Sequence, residues 1–265
     1  MKLGFFGCGN MGEAFLKSIC EKNLIPSSSI TVCNREAEKN ERLVSEYEVA
    51  STLDGTDIQD SDILFLGFKP QNLEDIVFTP KEGMIVVSML AGKKIDTIQK
   101  QFLNTKVVRI MPNVGQFVGQ GMTGMLFDSE SAFSTEEKAL IHSLIQSGGA
   151  VMELENEEQI DAIGAISGSG PAYFFRFSEA LQKSAESLGF SSAQAELLVR
   201  QTLIGSAMLL QENPEDSCGM WREKVTSPKG TTEQALRVFN EDGLDALAQK
   251  AVEAAIKRTK ALGVE

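Results

Sequence analysis

The sequence predicts an α/β protein, a doubly wound nucleotide-binding domain joined to an all-helical one. Three observations carry this expectation. Short, nearly continuous apolar runs alternate with helix-like stretches up to about residue 155, the pattern of parallel strands buried on both faces. A glycine-rich hexapeptide, GCGNMG (7–12), lies directly between the first run and a helix. Beyond residue 155 the strand signal stops, and helical periodicity continues to Leu262. The expected domains are 1–156 and 157–265.

In order, the expected strands are KLGFF (2–6), SITVC (29–33), DILFLGF (62–68), GMIVVSML (83–90) and KVVRIM (106–111). All are rich in the β-branched and aromatic residues that suit a pleated surface. GMTGMLF (121–127) and AVMEL (150–154) read as edge strands around a helix that opens with Ser134 and Glu137 at capping-box spacing. In the second half, AQAELLVRQTLIGSAMLL (193–210) is apolar around most of its circumference, which demands burial on several sides. Together with the Ala-rich LDALAQKAVEAAIKRTKAL (244–262), it predicts an intersubunit helical core and a homodimer.

GCGNMG has the G-x-G-x-x-G spacing of a Rossmann-type dinucleotide turn. Gly7 permits the tight turn, Gly9 lets backbone approach a pyrophosphate, and Gly12 allows close helix–strand packing. The helix N-terminus then faces the phosphates. An NAD site usually ends the second strand with Asp or Glu, whereas TVCNRE puts Asn34 and Arg35 there. Arg35 can pair with a 2′-phosphate through its planar fork, so the expected cofactor is NADPH, with NADH less preferred. A solvated loop arginine is the plainer alternative.

Composition narrows the partners. A formal charge of −12 lacks the basic face that a nucleic-acid binder needs. The opening MKLGFFGCGNMG is too short an apolar run for a secretory core or membrane span, so a cytoplasmic protein is expected. Cys8, Cys20, Cys33 and Cys218 lack metal-site spacing, and three of them sit in apolar or strand-like contexts typical of reduced, buried thiols; no disulfide framework and no metal are expected.

A dehydrogenase acting on an alcohol must also move a proton on oxygen. The one histidine, His142, falls on a peripheral helix, and Tyr47 and Tyr173 stand in no Y-x-x-x-K arrangement. A C=N bond asks for less, because a protonated imine is already electrophilic and keeps its proton. Such a site needs a hydride donor and a fixed substrate orientation. In KVTSPKGTTEQAL (224–236), the Ser227 hydroxyl and the N–H groups around Gly230, Thr231 and Thr232 can converge on a carboxylate at a helix start. Thr231 and Gln234 also have capping-box spacing, the plainer reading of the same residues.

Taken together, GFFGCGNMG, FKPQN (68–72), RIMPN (109–113), GQGMTGM (119–125), SGSGPAYFF (167–175) and KVTSPKGTTEQAL resemble the pyrroline-5-carboxylate reductases across essentially the whole chain. The resemblance implies reduction of a cyclic imine to L-proline, the last step of proline biosynthesis. It implies that Gly7, Gly9, Asn10, Met11 and Gly12 hold the pyrophosphate, Asn34 and Arg35 meet the adenosine phosphate end, and Lys69 and Pro70 sit beside the nicotinamide ribose. Pro112 and Asn113 would border the nicotinamide. Ser227, Gly230 and Thr231 would receive the substrate carboxylate, with the catalytic contact to the ring nitrogen made by Thr232. The GSGPAY segment, with Pro171 suited to a helix's first position, would close the pocket. The helical dimer could assemble further into a ring.

The chain departs from the family pattern twice. Val114, Gly115 and Gln116 replace Thr-Pro-Ala after MPN, which should loosen that loop. Lys229 stands where the family carries glycine, so a positive φ there would be strained. A reductase of another small imino or β-hydroxy acid, and a non-catalytic dinucleotide sensor, stay open at this point. The missing acid–base pair counts against the hydroxy acid, and the intact TSPKGTT stretch against the sensor.

Overall fold

The structure is a computed structural model that describes residues 1–76 and 79–262. The chain divides into two compact units, one of Met1–Ser169 with the end of the last helix from Ala255, the other Gly170–Ala254.

In the first unit the strands are β1 (Leu3–Phe6), β2 (Ile30–Cys33), β3 (Ala50–Thr52), β4 (Ile63–Leu66), β5 (Ile85–Ser88), β6 (Lys106–Met111), β7 (Gly121–Phe127) and β8 (Gly149–Glu153). They form one sheet in the order β3-β2-β1-β4-β5-β6-β7-β8. The pairings from β3 through β6 are parallel, whereas β7 runs antiparallel to β6. Only a short 3-10 turn, Val114–Val118, joins β6 to β7. That is too short for the crossover a parallel neighbour needs, so the strand returns.

The helices of this unit are α1 (Asn10–Glu21), α2 (Ala37–Tyr47), α3 (Ile95–Gln101), α4 (Thr135–Gln146) and α5 (Glu157–Ile163). Alternate residues of the central strands feed two separate cores. Ile63, Phe65, Ile85, Val87, Val108 and Ile110 pack with Phe15, Leu16 and Ile19 of α1 and Ile141 and Leu144 of α4. Leu64, Leu66, Val86 and Val107 pack with Ile95 and Ile98 of α3 and Ile160 of α5. A period of two with both phases apolar is what a doubly wound sheet requires. The capping box at Ser134 and Glu137 is present in full.

Arg109 of β6 interrupts the second core's face. It is 1% exposed and bonds Glu157 and, at 3.3 Å, Asp161 on α5. Glu157 also accepts from the Ile95 N–H at 2.8 Å, so one carboxylate ties α5 to both β6 and the start of α3.

The second unit holds α6 (Gly170–Ser187), α7 (Ser192–Glu212), α8 (Cys218–Lys224), α9 (Thr231–Glu241) and most of α10 (Leu244–Leu262). Pro171 is the second residue of α6 rather than the first. The largely apolar α7 is not buried within one chain: Ala195 is its buried residue, while Leu197, Leu198, Ile204, Met208 and Leu209 are exposed. Among the described residues, no helix is long and apolar enough to cross a membrane.

Candidate functional site

The sheet's order reverses at β1: the chain goes from β1 to β2 on one side and returns to β4 on the other. In open α/β sheets the crevice outside the carboxyl ends of the strands at such a point is where ligands sit. A cleft of about 790 Å³ lies here, and Gly7, Gly9, Asn34, Arg35, Lys69 and Pro70 all line it. Gly7 has φ +75°, and a Cβ on it would lie 2.6 Å from Phe68 Cβ, so only glycine fits this turn. Gly9 is the N-cap of α1 and supplies no side-chain cap. The N–H groups of Asn10, Met11 and Gly12 are therefore presented at the helix start, where an anion is favoured. Volume, backbone cradle and the cations Arg35, Lys39 and Lys69 fit a dinucleotide.

At the end of β2 the Asn34 amide donates to Asn40 Oδ1 at 2.8 Å, and Asn40 Nδ2 donates to the Asn34 and Thr52 carbonyls. Asn34 thus shapes the loop, while Arg35 projects and reaches Asp75 Oδ2 at 3.5 Å. Asp54 accepts from the Thr56 N–H and hydroxyl and from Thr52, and these bonds, led by the backbone N–H, hold its carboxyl below the usual range. Burial pushes the Cys33 thiol up to about 11 and the Cys8 thiol up to about 12. Neither is a thiolate near neutral pH, so neither serves as a nucleophile.

Lys39, Leu53, Gly67, Asp75 and Ile76 also line the cleft and escaped the sequence reading. Lys39 lies in the first turn of α2, whereas Arg35 precedes that helix's N-cap Glu36, so helical spacing did not link the two cations in the sequence. Gly67 carried no signal: a Cβ there would lie 2.5 Å from the Gly7 carbonyl, a contact between distant segments.

Asn113 stands at the end of β6, outside the lining of this cleft. Its Nδ2 donates to Ser167 Oγ at 3.0 Å and to the Ser167 carbonyl at 3.2 Å. Its Oδ1 accepts from Gly115 and Met122 N–H groups at 3.0 and 3.2 Å. The amide is a brace between the strand end, the return to β7 and a π-helical turn at Gly164–Gly168. Pi turns of this sort concentrate at functional sites. The Asn113 side chain also caps the Val114–Val118 turn through the Gly115 N–H.

In the second unit, Ser227, Gly230, Thr231 and Thr232 come together at the start of α9. The Gly230 N–H donates to the Ser227 carbonyl at 2.9 Å, closing a turn with Pro228 and Lys229 at its centre. Lys229 has φ +61°, the left-handed conformation that a type II turn imposes at this position. The strain expected there is present. Its N–H donates to Glu233 Oε2 at 2.8 Å.

The plainer reading of Thr231 as a capping-box residue does not hold. Gly230 is the N-cap, Thr231 is already helical, and no side chain caps α9. The Thr226 hydroxyl turns back to the Arg222 carbonyl at 2.6 Å, whereas Ser227, Thr231 and Thr232 are solvent-exposed. The first turn of α9 thus offers N–H groups and hydroxyls to an anion. His142 lies on α4, as expected. Among the described residues, no group of three or more His, Cys, Asp or Glu side chains is placed to hold a metal.

Comparison with known proteins places these features. The family model described as pyrroline-5-carboxylate reductase dimerisation matches residues 157–262, and that of NADP oxidoreductase, coenzyme F420-dependent, matches residues 2–92. A pyrroline-5-carboxylate reductase of Vibrio alginolyticus is 34% identical over 98% of this chain and 96% of its own. The solved structure of a pyrroline-5-carboxylate reductase from Coxiella burnetii superimposes with a TM-score of 0.89 at 33% identity, covering 98% of both chains. The Plasmodium falciparum pyrroline carboxylate reductase solved with NADP bound shares the fold, with a TM-score of 0.81 at 24% identity over 99% of this chain and 98% of its own. With relatives of this identity matched along nearly their whole length, the chain is an NAD(P)-dependent oxidoreductase that belongs to the pyrroline-5-carboxylate reductase family.

Proposed function

We propose that the chain reduces 1-pyrroline-5-carboxylate to L-proline with NADPH, the last step of proline biosynthesis. The observation that carries this reading is the uncapped first turn of α9, which presents Ser227, Gly230, Thr231 and Thr232 to a small carboxylate in a chain of this family. The reduced nicotinamide supplies the hydride.

The chain's own residues bind and orient. N–H groups of Asn10, Met11 and Gly12 would take the pyrophosphate, and Arg35, beside Asn34, would take the 2′-phosphate. Asn34 and Arg35 after β2 would meet the adenosine end of a bound dinucleotide, and residues after β4 and β6 its nicotinamide end. Lys69 and Pro70 follow β4 there, and Asn113 braces the end of β6. Ser227 and Thr231 would donate to the substrate carboxylate, with Gly230, its N–H closing the turn on Ser227, leaving room for it at the N-cap, and the Thr232 hydroxyl would hold the ring nitrogen. The imine already carries its proton on nitrogen, so hydride arriving at carbon yields the amine without a side-chain base. This accords with a cleft whose lining contains no histidine.

The exposed apolar residues of α6, α7 and α10, among them Phe174, Phe175, Leu197, Met208 and Leu247, suit a homodimer built through the second unit and able to assemble into a ring. Free Cys8, Cys20, Cys33 and Cys218 suit a reducing cytoplasm. Expression in a proline auxotroph that lacks this reductase is expected to restore growth without proline. Continued auxotrophy with the protein present and folded would contradict the reading.

A further inference from the structure

Arg35 stands just past the carboxyl end of β2, where the adenosine ribose of a dinucleotide is read. Its Nη2 donates to Asp75 Oδ2 at 3.5 Å. Asp75 lies in the segment after β4, and β1 separates β4 from β2. The pair therefore reaches across two strand spacings, about 10 Å, over the end of β1. Both residues line the cleft, so the ion pair bridges its mouth at the adenosine end.

We propose that Asp75 is a specificity-determining residue, the counter-ion that a 2′-phosphate displaces from Arg35, and that it sets how strongly the chain prefers the phosphorylated dinucleotide. The inference rests on the NADPH reading above. The side chains of Arg35 and Asp75 are 75% and 62% exposed, so their contact is long and screened by water. A phosphate brings a larger charge and three acceptor oxygens and pairs with a guanidinium at shorter range, so it wins the exchange. A neutral ribose hydroxyl cannot. Glu36 and Asp54 are the other acids of the lining, and Asp54 is already held by Thr52 and Thr56. Asp75 is the acid bonded to Arg35, and Lys39 adds a cation at the same end.

The test is a binding titration on the full chain with NADPH, NADH and adenosine 2′,5′-bisphosphate. The proteins are wild type, Asp75→Asn, Arg35→Ala and the double variant. Asp75→Asn is expected to tighten NADPH and the bisphosphate about threefold to tenfold, leaving NADH within about twofold. In the Arg35→Ala background the same change should move NADPH by less than about twofold, because the pair is already gone. An Asp75→Asn protein that binds NADPH no better, or tightens both dinucleotides equally, overturns the proposal. If Arg35→Ala lowers the NADPH:NADH ratio while Asp75→Asn does nothing, this inference alone fails. An unchanged ratio in Arg35→Ala removes the NADPH reading, and the inference with it.

Discussion

Thr232 is the second residue of a helix whose first turn has no side-chain cap, and its exposed hydroxyl is the group assigned to the substrate nitrogen. Thr232→Ala is expected to lower kcat about tenfold to a hundredfold while the NADPH dissociation constant stays within about twofold. Steady-state kinetics beside a fluorescence titration measure this, and equal loss of NADPH affinity would contradict the role. That Ser227, Gly230, Thr231 and Thr232 gather at one helix start was legible, because a proline, a glycine and four hydroxyl residues in one short stretch outnumber what a single cap requires. The left-handed Lys229 was legible only as a condition, from the glycine that it replaces, and the φ of +61° meets that condition. The fourfold bonding of Asn113 was not: its partners include Met122 and Ser167, and nothing local in RIMPN points to them.

Elements are where burial and connection length decide what sequence can reveal. The five central strands could be read because their runs are apolar in nearly every position, with few interruptions such as Thr31 and Arg109. β3 could not, because its three residues, Ala50–Thr52, form a polar edge strand. The reversal at β7 depends on the short link after β6, and the place of α5 against the sheet depends on Arg109 meeting Glu157 and Asp161. Arg109→Ala is expected to cost about 3 kcal/mol of stability, because it leaves two carboxylates, 21% and 12% exposed, without their cation. Replacing the set together, Arg109→Met with Glu157→Gln and Asp161→Asn, should recover most of that loss in denaturant unfolding. Equal destabilisation of both variants would show that packing, rather than charge, holds α5.

At the scale of the whole molecule, the two units differ in what stabilises them. The first has two buried cores, whereas the second leaves large apolar side chains on α6, α7 and α10 exposed in a single chain, which fits a match to a dimerisation family. That need for a partner was readable in α7, apolar around most of its circumference. The first unit also carries the acid sensitivity. Arg42 beside Glu13, Lys81 beside Asp62 and Lys106 beside Glu137 lower carboxyl groups whose ordinary values are 4.5, 3.8 and 4.5. A carboxyl lowered by folding stabilises the fold above its unfolded value, and that contribution is lost as pH falls through the folded one. The difference in thermal stability between wild type and Glu13→Gln is therefore expected to shrink as pH drops below about 4; a gap that persists there would contradict the assignment. The central claim is the reaction itself, and the most direct measurement is NADPH oxidation, followed by absorbance, with 1-pyrroline-5-carboxylate and in parallel its six-membered homologue. The account predicts rapid turnover of the five-membered imine, well above that of the larger ring; NADPH that binds but is oxidised with neither imine would contradict it.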